Sequence, residues 1–239
     1  MVIKQSEVNT LLFNKLSDED IKASSEFAKK SALRNQLIFD IATKRDCEHC
    51  AECSNNLFVI PEGNVSADVM LVMDPPSEYD GKTHTSMFDA NGRLMTVILD
   101  KLGLKRDNIY ITHISKCCKT VEGLDAQYLC GAKFLLREID LVKPKMIITL
   151  GDIAMRVVRA FLLNHDEEID VNTVRGKVFP AEIGGLKLSI VHAISPGFVL
   201  RKQGAMYNKY KLDLWNDVNG AYTFLKNNLN VSGLTPVGG

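Results

Sequence analysis

The sequence predicts an α/β fold: three layers, α/β/α, around a four-stranded, mostly parallel sheet with a helical N-terminal arm. Three observations predict it. Short apolar runs bounded by turn residues alternate with longer segments of helical period, the pattern of strand–helix–strand units. The apolar runs are continuous rather than alternating, as expected of strands covered on both faces. The chain has 239 residues, 46% of them hydrophobic and 24% charged, which suits one globular domain with an appendage.

Ser17-Asp18-Glu19-Asp20 has the form of a helix start, a serine N-cap followed by acids in the first turn. Ile21, Phe27, Ala28, Leu33, Leu37, Ile38 and Ile41 then recur at helical spacing, so one long or broken helix covers about 18–44. It reads as an arm packed on the main domain, with docking of a protein partner as its other use. The extension 1–46 thus precedes a domain at 47–230 and a tail at 231–239. Within the domain, Asp68 to Met73 reads as a buried strand. Asp74-Pro75-Pro76-Ser77 ends it, because two prolines cannot continue a ladder. Gly92 to Leu102 reads as a helix, Asn108 to Ile114 as a strand, and Asp125 to Val142 as a helix. Lys145 to Leu150 is the third strand, Gly151 opens a helix to Leu163, Leu186 to Ala193 is the fourth strand, and Asp213 to Leu229 the closing helix. Ligands in such sheets bind beyond the carboxyl ends of the strands. That directs attention to 74–88, 113–118, 151–152 and 192–201.

Lys plus Arg and Asp plus Glu are 29 each, so no global charge argues for nucleic acid, although a local basic patch suffices to hold phosphates. No apolar run is long enough to span a bilayer, and the first residues lack a signal-peptide core. A cytoplasmic protein with reduced cysteines is expected, which favours metal ligation over disulfides. Cys47 and Cys50 form a C-x2-C pair, half of a site, and Cys117 and Cys130 are single cysteines that the fold must bring to it. Four thiolates suit zinc or an iron–sulfur cluster equally well, and C-x2-C alone also fits a redox pair. Cys53 and Cys118 are left over.

Eight segments carry a resemblance. They are Cys47/Cys50, Glu62-Gly63-Asn64-Val65-Ser66-Ala67, Ile111-Thr112-His113-Ile114-Ser115-Lys116-Cys117, Cys130, Pro144 to Ala154, Val174-Arg175-Gly176-Lys177, Phe198-Val199-Leu200-Arg201 and Trp215-Asn216-Asp217. In order and spacing the stretch from Cys47 to Leu225 resembles the iron–sulfur uracil-DNA glycosylases of thermophiles, many bacteria and their phages. The resemblance implies a [4Fe–4S] cluster on Cys47, Cys50, Cys117 and Cys130, DNA as partner, no membrane, and the cytoplasm of a bacterial or phage-infected cell. It implies base flipping and hydrolysis of an N-glycosidic bond.

The departures fall at the chemistry. The family's G-E-A-P-G loop is Met73-Asp74-Pro75-Pro76-Ser77, its stacking aromatic aligns with Met87 beside Phe88, its base-reading Asn is His113, and its H-P is Ser195-Pro196, with His192 three residues earlier. The roles implied are Asp74 orienting water, Met87 or Phe88 contacting the base, and His113 reading its edge. His192 or Ser195 would sit by the leaving base, and Lys116, Lys119, Arg201 and Lys202 would hold phosphates. Imidazole cannot both donate and accept along one edge as an amide does, so weak activity on uracil is expected. Two explanations follow: a glycosylase for another damaged or modified base, or an inactive fold kept for DNA binding, replication or partner binding. An interaction protein without DNA is the third.

Overall fold

The computed structural model describes residues 18–43, 57–117, 124–165, 167 and 169–228, with backbone alone at 18–21 and 124–130. The elements run α1 (Asp18–Thr43), β1 (Glu62–Gly63), β2 (Val69–Met73), α2 (Glu78–Thr83), α3 (Ala90–Lys101), β3 (Ile109–His113) and α4 (Leu124–Val142). They continue β4 (Met146–Leu150), α5 (Asp152–Leu162), α6 (Val171–Val174), β5 (Val178–Ile183), β6 (Leu186–Ala193), α7 (Pro196–Leu200) and α8 (Gly204–Asn228). The sheet order is β1-β3-β2-β4-β6-β5. The four inner strands are the four expected, and they pair in parallel. β2, β3 and β4 are buried at every position, which is why their sequences are unbroken apolar runs.

The sheet has six strands rather than four, because short antiparallel strands close both edges. β1 is only two residues long, below any periodic signal. β5 contains Pro180, which a central strand excludes but an edge tolerates. A Gly184-Gly185 turn with both φ angles positive (56° and 84°) joins β5 to β6. The last helix begins at Gly204, not near Asp213: its first turns are largely exposed, and its buried stripe starts only at Leu214. No helix among the described residues is long and apolar enough to cross a membrane.

Register assigns the side chains to faces. Thr112, Val72, Thr149 and His192 lie in one cross-strand row, and His113, Met73, Leu150 and Ala193 in the next. Successive residues of a strand point to opposite faces, so the two rows do too. Leu94, Met95, Ile98 and Leu99 of α3 and Leu214, Val218, Ala221 and Leu225 of α8 cover the face that bears Met73 and Leu150. Leu37 and Ile41 of α1, Phe134, Leu135 and Ile139 of α4, and Val157 and Val158 of α5 cover the other. The arm therefore packs on the domain through its second half, helped by an Arg137–Asp40 ion pair, while Phe27 and Leu33 stay exposed.

Candidate active site

Asp74 joins three elements at the carboxyl end of the sheet. Its carbonyl accepts the His113 Nδ1–H at 2.6 Å. Its Oδ1 accepts the Ala154 amide at 2.9 Å, so the carboxylate sits on the N-terminus of α5, where helix amides favour negative charge. Gly151 makes room for it: a Cβ there would overlap the carboxylate, and the backbone φ of 121° also suits only glycine. Burial still pushes the Asp74 pKa up to about 6, against the pull of the Ala154 and Ile153 amides and of Arg201. That value suits a group that takes a proton near neutrality.

The His113 side chain is buried on the face that bears Met73. A carbonyl only accepts, so the Asp74 bond places the imidazole proton on Nδ1 and leaves a lone pair on Nε2. Burial holds the pKa down to about 4, so the ring is neutral at pH 7. Nε2 is buried and has no partner among the described residues.

A second loop flanks this pair. Ser77 and Asp80 form a capping box at the start of α2. Glu62 accepts the Ser86 amide and pairs with Arg106, whose guanidinium also donates to the Ser86 carbonyl at 3.0 Å. This clamp holds Met87 at φ 63°, buried against the sheet, while Phe88 is 54% exposed with Arg106 5.0 Å from its ring. Of the two candidate base contacts, then, Met87 is inside and Phe88 outside. Asp89 caps α3 through the Gly92 amide and lies close enough to His113 to favour its protonated form. On the opposite side Ser195 caps α7, its Oγ accepting the Phe198 amide at 3.1 Å. Arg201 is exposed at the end of α7, and Lys202 stacks on the Phe198 ring at 4.2 Å.

Two expected site residues lie elsewhere. Lys116 is 2% exposed, and its Nζ donates to both Glu138 carboxylate oxygens at 2.9 Å, to the His113 carbonyl at 2.9 Å and to Thr112. It is an internal cation rather than the phosphate contact expected of it, and the partner that buries it is 22 residues away on α4. His192 is in the row that faces α5, so it is on the other side of the sheet from His113. Its Nδ1 is 2.8 Å from Thr149 Oγ1, its ring 5.3 Å from Phe179, and burial with the nearby Arg159 holds its pKa down to about 3. It cannot serve the same base as His113. Strand register separates the two; Val191, His192 and Ala193 are all buried, so the local sequence gives no sign of which face His192 takes.

Sequence reasoning assigned no role to Glu62, Arg106, Arg175 or Asp217. Arg175 Nε donates to Asp217 at 2.9 Å and joins the V-R-G-K and W-x-D segments; Asp217 also accepts the Ile194 amide, holding the loop before Ser195. The recurrence of these motifs was the available signal.

Of the cysteines, Cys47, Cys50, Cys53 and Cys118, like Lys119, fall outside the described residues, and Cys130 is described by backbone alone. Cys117 is the one cysteine whose side chain is described, and no group of three or more His, Cys, Asp or Glu side chains that could hold a metal ion occurs among the described residues. Phe58 bridges Cys117, and the Val59 amide donates to the Lys116 carbonyl at 2.9 Å, so the chain leaving the C-x2-C segment runs beside Cys117. Gly131, next to Cys130, is packed so tightly on the Ile114 carbonyl that no Cβ fits.

Comparison with known proteins bears on this arrangement. The chain is 26% identical to a type-4 uracil-DNA glycosylase of Thermotoga maritima over 197 residues, 79% of this chain and 95% of that protein. It is 26% identical to one of Pyrobaculum aerophilum (71% of this chain, 87% of that protein) and 27% identical to one of Archaeoglobus fulgidus (70% and 82%). A profile of the uracil DNA glycosylase superfamily matches residues 60–219, which span every strand-end segment just described except the β1 edge's approach at 57–59. The chain belongs to the uracil DNA glycosylase superfamily.

Proposed function

We propose that this protein is a DNA glycosylase that flips out a damaged or modified base and hydrolyses its N-glycosidic bond, with little activity on uracil. The observation that carries the reading is the Asp74–His113 pair: a carboxylate with a pKa near 6 on the residue whose carbonyl holds a buried, neutral imidazole, its Nε2 without a partner among the described residues. In this reading Asp74 orients water and favours positive charge on the sugar. The bond's electron pair leaves with the base as its anion, the water oxygen bonds to the sugar carbon, and Asp74 takes the proton that the water gives up. His113 Nε2 accepts an N–H from the base edge. It offers no proton to the base's carbonyls, which is why uracil, with carbonyls on both sides of its N–H, is read poorly. A donor missing at the leaving group is worth about 100- to 1000-fold in rate. Met87 or Phe88 contacts the base, Ser195 lies by the leaving group, and Arg201 and Lys202 hold phosphates, with Lys119 a further phosphate contact.

Cys47, Cys50, Cys117 and Cys130 are proposed to hold a [4Fe–4S] cluster. Support comes from the convergence of the described segments around Cys117 and the similarity to type-4 enzymes. When bound, such a cluster supplies a four-thiolate cross-link between chain segments.

The test is a strand-cleavage assay on single and double strands carrying uracil, hypoxanthine, xanthine or 5-hydroxymethyluracil, run with the parent and with His113→Asn. Excision of a base other than uracil, and a gain on uracil of at least about tenfold in the variant, is expected. Robust parental uracil excision would contradict the reading. The engagement of the Asp74 carboxylate by α5 favours a second reading, an inactive DNA-binding scaffold or partner-binding factor. No excision by either protein, with DNA binding intact, would establish that one.

A further inference from the structure

A groove of about 330 Å³ runs between α3 and α8, on the face of the molecule opposite the arm. Val97, Ile98, Leu212 and Trp215 form its walls, and Lys101, Asn208 and Lys211 its rim. Val97 is 49% exposed and Leu212 58% exposed, so apolar surface is left open here. The groove is not part of the strand-end site: Val97 and Lys101 lie toward the far end of α3 from Asn91, which borders Gly197 of α7.

Its charge is one-sided. No acidic side chain among the described residues lines it. Neither Lys101 nor Lys211 has a carboxylate within ion-pair distance among the described residues; their ammonium groups lie 6.0 Å from the Trp215 ring and 5.7 Å from the Tyr207 ring. The nearest acid on α8, Asp213, is already paired with Arg175. Apolar walls between two helices take the bulky residues of a peptide, and unpaired lysines on the rim take carboxylates. A nucleic-acid strand would meet aliphatic walls where its sugars and phosphates want polar groups, with Trp215 as the single stacking face.

We propose that this groove is a docking site for an acidic segment of a partner protein, whose aliphatic or aromatic residues enter between α3 and α8 while its carboxylates meet Lys101 and Lys211. The interaction leaves the strand-end site open, so a partner held here can accompany the protein on DNA.

Trp215 is the chain's one tryptophan, so its fluorescence reports the groove directly. The full-length protein is titrated with three probes: a synthetic peptide of Asp, Leu and Phe, its counterpart with Lys for Asp, and a single-stranded oligonucleotide without a modified base. A saturable change with the acidic peptide and not the basic one is expected. Lys101→Glu/Lys211→Glu should weaken the acidic peptide about tenfold or more and let the basic one bind, with DNA binding at the strand-end site unchanged. No response to the acidic peptide, equal response to both peptides, or displacement of the acidic peptide by the oligonucleotide would each overturn the proposal.

Discussion

Lys116 and Glu138 meet inside the domain, where neither charge has water to fall back on. Their pairing, with Thr112 and the His113 carbonyl, holds the end of β3 against α4 and so sets the height at which the His113 ring stands. Burial raises the Glu138 pKa despite the Lys116 cation. Removing one partner leaves the other charge unpaired, at a cost of about 3–5 kcal/mol, whereas replacing both by apolar groups of similar shape is often tolerated. Lys116→Met should therefore lower the urea midpoint strongly, and Lys116→Met/Glu138→Leu should recover most of the loss. A double variant as unstable as the single one would show that the pair is not the source of the effect. His113 belongs to the same local logic: its identity was plain in the sequence, but the lone pair it presents depends on the Asp74 carbonyl 39 positions away.

The segments that carry the site are held by contacts between elements rather than within them. Gly63, at φ 93°, presses on the Ile109 carbonyl, and Asn64 Nδ2 donates to the Asp107 carbonyl, so the E-G-N motif is a plug at the start of β3. If α4 brings Cys130 to Cys117, then Cys130→Ala should abolish visible absorption and iron binding in anaerobically purified protein, while Cys53→Ala should leave both. Stoichiometric zinc in colourless protein, or a requirement for Cys53 with Cys47 dispensable, would refute that ligand set. The proposed phosphate contacts Arg201 and Lys202 follow the end of α7. Arg201→Ala should weaken DNA binding and lower the slope of log affinity against log salt by about one, since each contact releases roughly one counterion. An unchanged slope would remove Arg201 from the DNA surface.

Across the domain, histidines and carboxyls titrate in opposing senses. His113 and His192 are held down to about 4 and about 3, from 6.5, and Asp74 and Asp217 are pushed up to about 6, from 3.8. A buried neutral histidine stabilises the fold above its unfolded pKa, and that contribution is lost as pH falls toward the folded value. A carboxyl with a raised pKa does the reverse: its contribution is fully present below 3.8 and lost as pH rises through 6. The two kinds of group oppose each other through the mildly acidic range. Taking out one histidine exposes the carboxyl contribution. His192→Gln should gain stability relative to the parent as pH falls from neutral toward about 4.5, measured by urea unfolding. Parallel pH profiles for the two proteins would show that His192 is not buried in its neutral form.

The four inner strands, the long helices and the order of the motifs were legible because burial on both faces imposes unbroken apolar runs, and helices impose their own period. The edge strands were not, since two residues at β1 and a proline-bearing β5 leave no such pattern. The cysteine spacings and the histidine at 113 were likewise readable one position at a time. Which groups face one another was not. The separation of His113 from His192 follows from strand register, the burial of Lys116 from a glutamate on a distant helix, and the seat of Asp74 from a glycine 77 positions later whose missing Cβ admits the carboxylate. Each is a contact between segments far apart in the chain, and composition and period carry no record of such contacts until the sheet brings the segments together.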